Sequence, residues 1–260
     1  MPRRSSRRPF RSRLPFAPKP DPMFRWRGAG VSRIEGLADS VFAFTITLLV
    51  VALEVPRDYR ALLAIFEGFP AFVATFAILL WFWNMHYTFF RRYGLEDAWT
   101  RFLNAAILLF VVFLAYPLKF IFNSAFSAML GLGDYPTGIR SLSDLSTLYI
   151  IYGGGLAVVS FGYLLLFTHA YRQRAALRLS EAETILTRGS ICRILVNISI
   201  CLLSIVLATL ERFTWQPGVI YALLGPGIGF TAAYHGNLAL NAYNEATANR
   251  KSAKPQDVSG

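Results

Sequence analysis

Apolar residues in this chain run in long blocks rather than in alternation. Six blocks span residues 36–55, 69–90, 102–122, 148–170, 191–210 and 219–239. Each is close to the ~20 residues that a helix needs to cross the hydrocarbon core of a bilayer. The pattern predicts an all-α integral membrane protein with six transmembrane helices.

The seams between blocks carry the charge, and they carry it unevenly. The segment before the first block, the seams after the second and fourth, and the segment after the sixth hold 21 of the 26 Lys and Arg residues. The other three seams hold five. Basic residues stay on the cytoplasmic side of a membrane protein. Both termini are therefore expected in the cytoplasm, with an even number of spans and a multi-pass location in the cell membrane. The organisation expected is a disordered basic cytoplasmic tail over 1–32, a six-helix transmembrane domain over 33–245, and a polar cytoplasmic tail over 246–260. The first tail is rich in Arg, Ser and Pro and lacks helical periodicity.

Two of the seams carry local signals. Ser180-Glu181-Ala182-Glu183 fits a capping box, and Gly189 is a plausible helix stop, so a short cytoplasmic or interfacial helix is expected there. The stretch 123–147, rich in Gly, Ser and Asp, reads as an irregular outer loop.

Composition changes this picture little. Apolar residues make up 55% of the chain and charged residues 16%, against about 25% charged in a soluble domain. The net charge of +11 follows from the seams, so it points to topology and anionic lipid, not to nucleic acid. Cys192 and Cys201, nine residues apart, form neither a disulfide framework nor a metal pair. No P-loop, G-x-S-x-G or H-E-x-x-H motif is present, so no enzyme chemistry, metal or cofactor is expected. His86, His169 and His235 fall at one membrane level, which leaves a bis-histidine haem redox protein as one alternative. A secondary transporter is another, although the midplane is nearly free of charge.

The first span stands apart. Asp39 lies inside it, and a carboxylate in an apolar span is costly and marks a functional position by default. Phe44, Leu48 and Val51 follow at i, i+4 and i+7 and form one apolar stripe. Asp39 precedes Leu48 by nine residues, which sets the two about 180° apart on a helix. A helix with two such faces has one to bury in its own subunit and one for lipid, a neighbour or a pore. At the same depth the second span ends Trp81-Phe82-Trp83-Asn84-Met85-His86. Arg33, Asp39, Asn84 and His86 are therefore expected to form a buried polar cluster.

These residues carry a resemblance. Arg33-x-x-x-Leu37-Ala38-Asp39, the following Val-Phe-Ala-Phe-Thr-Ile-Thr-Leu-Leu-Val and Trp83-x-x-His86 resemble the transmembrane protein 175 family, endolysosomal potassium channels and their bacterial relatives. The resemblance implies a potassium-permeable channel assembled as a homotetramer, with K⁺ as the permeant ion. It implies that Phe44, Leu48 and Val51 form the constriction and that Thr47 supplies a hydroxyl at its edge. It gives Arg33, Asp39, Trp83 and His86 the task of support between helices. The chain departs from the family at Leu37 and Ala38, where the signature has Phe and Ser. It departs again at Phe44, where the narrowest layer is usually Ile or Leu.

Overall fold

A computed structural model describes residues 23–28, 30–51, 55–130, 141–210 and 216–252. The elements are α1 (Arg33–Val51), α2 (Tyr59–Glu67), α3 (Phe69–Tyr93), α4 (Ala98–Leu130), α5 (Leu142–Arg172), α6 (Glu181–Thr209), α7 (Gln216–Val219), a 3₁₀ turn (Ile220–Leu223) and α8 (Leu224–Ser252). No strand occurs among the described residues.

Five helices, α1, α3, α4, α5 and α6, are long and apolar enough to cross a membrane. The sixth apolar block, 219–239, falls at the end of α7, in the 3₁₀ turn and in the first part of α8. Helix α8 has the length, but its Gly, Asn and Thr residues dilute its apolar character below that of the other five. Neighbours in sequence pack together: α3 on α4, α4 on α5, α5 on α6 and α6 on α8, while α1 lies against α3 and α4. The core lies among α1, α3, α4 and α5, built on Phe42, Leu79, Phe82, Ile107, Val111 and Tyr163. The Tyr163 hydroxyl reaches across the bundle and donates to the Phe82 carbonyl at 2.8 Å.

Several expected boundaries move. The capping box forms as read: Ser180 Oγ accepts from the Glu183 N–H, and Glu183 accepts from the Ser180 N–H. The helix it starts is α6 itself, however, and it passes through Gly189 without a break. Gly189 serves contact instead of termination, since a Cβ there would lie 2.7 Å from the His235 Cβ on α8. The expected outer loop is shorter than 123–147, because α4 runs to Leu130 and α5 begins at Leu142. Residues 131–140 lie outside the described ones. An additional helix, α2, joins α1 to α3; Asp58 caps it by accepting from the Ala61 N–H.

Parts of both expected tails have defined structure. Residues 1–22 and 253–260 lie outside the described ones, but α8 continues through 246–252. Residues 23–28 are packed, with Phe24 buried edge-on against Tyr93. The Arg27 and Gly28 N–H groups donate to the Arg91 carbonyl. Gly28 is required by this approach, because a Cβ would lie 2.7 Å from the Phe90 carbonyl oxygen. Gly94, at φ +59°, closes α3 in the left-handed conformation beside it.

Candidate functional site

Helix α1 turns one face wholly inward and leaves the other bare. Glu35, Ala38, Phe42, Thr45 and Leu49 are buried. Their steps of three and four residues trace a single stripe. On the far side Phe44 is 61% exposed and Val51 is 70% exposed. Thr47 is exposed and Leu48 half-buried on the flank. The Thr47 hydroxyl donates to the Ala43 carbonyl at 2.9 Å, which leaves both of its lone pairs free to accept.

Asp39 sits on the opposite flank, half-buried, and accepts from Trp83 Nε1 at 2.8 Å. The acid that is fully buried in α1 is Glu35, at 3% exposure, and not Asp39. The cluster expected from the sequence is thus only partly brought together. His86 is buried and pairs through Nε2 with Asn104 Oδ1 of α4 at 2.6 Å. Arg33 and Asn84 are exposed. Each lies two residues, about 200°, from a buried position, Glu35 and Phe82 or His86, and so points the other way.

Two arginines that sequence reasoning used only to count charge turn out to be hubs. Arg91, at the end of α3, approaches Glu35 Oε1 to 2.7 Å through Nη2. Its Nη1 donates to the carbonyls of Gly28 and Gly30, and the guanidinium lies 5.5 Å from the centre of the Tyr87 ring. Arg27 forks onto Glu183, with Nη1 to Oε1 at 2.9 Å and Nη2 to Oε2 at 2.8 Å. The same guanidinium donates to the carbonyls of Arg25, Leu177 and Arg178. Glu183 also accepts from the Arg25 N–H at 2.8 Å. The only signal for this in the sequence was Glu183 itself, at the third position of a capping box.

Between α3 and α4, Asp97 accepts from the Thr100 N–H and hydroxyl and lies 3.0 Å from His169 Nε2. Burial pushes the Asp97 carboxyl up, but His169 and Thr100 together outweigh it and hold the group at about 2. Each histidine has a neighbour within the protein: His86 has Asn104, His169 has Asp97 and Gln173, and His235 has the Thr231 carbonyl. No group of three His, Cys, Asp or Glu side chains suited to a metal occurs among the described residues.

Comparison with known proteins places these features. A potassium channel of Marivirga tractuosa is 31% identical over 217 residues, covering 79% of this chain and 88% of that one. The family model for the endosomal/lysosomal potassium channel TMEM175 matches residues 33–115. The chain belongs to the TMEM175 family. The matched stretch of this TMEM175 protein runs from α1 through α3 into α4, and it contains Glu35, Asp39, Trp83, His86, Arg91 and Asn104. The crystal structure of a variant of the potassium channel MtTMEM175 superposes with a TM-score of 0.73 at 28% identity, covering 84% of this chain and 98% of that one. The crystal structure of a TMEM175 homologue from Chamaesiphon minutus shares the fold, with a TM-score of 0.51 at 22% identity over 76% of this chain and 96% of that one.

Proposed function

We propose that this TMEM175 protein is a potassium channel subunit in which four copies of α1 surround a pore, with Phe44, Leu48 and Val51 as an apolar constriction. The observation that carries the reading is the bare face of α1. Phe44 and Val51 are more than half exposed, while the opposite face is buried to the last residue. A long apolar face without cover in its own subunit suits a symmetry axis.

On this reading K⁺ passes a ring of apolar side chains, loses part of its water shell there, and is stopped when the ring dewets. Phe44 sets the narrowest point, so its rotamer decides whether the ring is open. Thr47 offers a hydroxyl oxygen beside it. Arg33, Asp39, Trp83, Asn84 and His86 act as support, with Arg33 and Asn84 turned toward a neighbouring copy. The protein works as a homotetramer in a bacterial plasma membrane, with K⁺ and lipid as partners and no catalytic role. Helix α8 is the sixth span, and both termini are cytoplasmic. The 21-to-5 division of basic residues supports that topology.

Reconstitution in liposomes tests the reading. K⁺ flux that exceeds Na⁺ flux, and that changes in Phe44→Ala, is the expected result. Flux in the variant alone means that Phe44 plugs the pore. Absence of flux from both, with the oligomer intact, overturns it.

A further inference from the structure

The segment that leads into α1 is fastened at both ends, and its two anchors lie on helices that belong to different parts of the bundle. Residues 23–28 and 30–32 pass between the end of α3 and the start of α6. At one end Arg27 uses Nε, Nη1 and Nη2 to grip Glu183 and the carbonyls of Leu177 and Arg178 in the α5–α6 turn. The Arg27 and Glu183 side chains are only 16% and 5% exposed. At the other end Arg91 holds the Gly28 and Gly30 carbonyls and also Glu35, in the first turn of α1. Ser32 completes the join: its hydroxyl accepts from the Glu35 N–H at 3.2 Å.

Helix α1 packs chiefly on α3 and α4, whereas α6 packs on α5 and α8. We infer that residues 23–28 and 30–32 act as a strap that couples the α5–α6 turn to the start of α1, with Arg27 and Glu183 as positioning residues for the pore helix. The inference rests on the pore reading of α1. A side chain that merely braces its own neighbourhood would need neither the bidentate fork nor the second hub. Here the fork fixes the strap in register, and Arg91 hands that register to Glu35. Movement of the α5–α6 turn is thereby transmitted to the helix that carries Phe44.

Glu183→Gln separates this role from simple stability. Gln keeps the capping bond at the third position of α6 but loses the charge that the fork needs. Hydrogen exchange on the full chain in lipid nanodiscs, compared with wild type, reads the coupling without any need for conduction. The amides of residues 35–39 in α1 are expected to exchange about tenfold or more faster in Glu183→Gln, the factor that follows from losing one charge-assisted bond. Arg27→Lys should show a smaller change of the same kind, since it retains charge without the fork. Faster exchange confined to residues 23–28 and the start of α6 would overturn the strap. Flux completes the test, with Phe44→Ala as the comparison. Altered flux in both variants is expected, with the K⁺/Na⁺ ratio of Glu183→Gln unchanged. If Phe44→Ala leaves flux untouched while α1 exchange rises in Glu183→Gln, the pore reading has failed and the strap stands.

Discussion

The two ends of α1 are held by different physics. Its first turns are tied by partly desolvated polar contacts: the Glu35–Arg91 ion pair and two directional hydrogen bonds, from Trp83 to Asp39 and from the Glu35 N–H to Ser32. Its second half has only apolar packing on one side, through Thr45 and Leu49, and nothing on the side of Phe44, Thr47 and Val51. Directional contacts fix where a helix starts and how it is rotated. Apolar contact alone leaves the far end free to meet other copies. A pore helix needs both, a fixed base and an open face.

Breaking the base should cost most. Arg91→Ala leaves Glu35 as a buried charge, and truncating one partner of a buried pair costs about 3–5 kcal/mol. The thermal transition of the detergent-solubilised protein should fall by many degrees, and a transition within a degree of wild type would contradict this account of Glu35. Asn104→Ala comes next. It takes the partner from His86 inside the bundle, at a cost of about 1–3 kcal/mol for an unsatisfied buried group. Chemical denaturation in mixed micelles would measure it, and Asn104→Asp should not restore the loss fully.

The open face should behave in the reverse way. Phe44→Ala removes a side chain that touches little within its own subunit, so stability should move by no more than about 0.5 kcal/mol, while flux changes sharply. A large loss of stability with unchanged flux would show that Phe44 packs against a neighbour instead of lining a path.

The smallest effect belongs to Asp97, just before α4. Its carboxyl is held down at about 2 from an ordinary value of 3.8. A depressed acid contributes stability above its unfolded value and loses it as pH falls through the folded one. Wild type should therefore exceed Asp97→Asn by a constant, modest margin above pH 3.8, and the margin should close between there and about 2. Asp97 is 37% exposed, so solvent screens the contribution. Parallel melting curves across that interval would remove Asp97 from the list of stabilising acids.

Much of the fold was legible because bilayer thickness acts on every residue of a span at once. Five of the six blocks are helices long and apolar enough to cross, and the sixth ends in the first part of α8. The capping box at Ser180 was legible because its two bonds join residues three apart. The site was legible in part. Asp39 could be singled out, since a carboxylate among apolar residues announces itself, but its bond from Trp83 appears only once α3 lies against α1. Asn104 could not, because one amide in an apolar block says nothing about what it faces until α4 lies against α3. Asn84 lies outside the cluster within the subunit, because two residues of helix separate it from Phe82 and from His86 and turn it outward.

By itself the sequence determined that this chain crosses a membrane, where five long apolar helices lie, and that its first helix carries an acid and an apolar stripe on different sides. Periodicity and hydropathy are local properties, and a single helix expresses them without neighbours. Only the tertiary structure decided that Glu35 is the buried acid, that Arg91 and Arg27 are hubs, and that residues 23–28 are packed rather than loose. The Arg27–Glu183 pair joins positions 156 residues apart. Nothing in a helical period encodes such a pairing. It exists because folding brings the end of α3 and the start of α6 to either side of one strand of backbone, and a buried charge there must find its opposite.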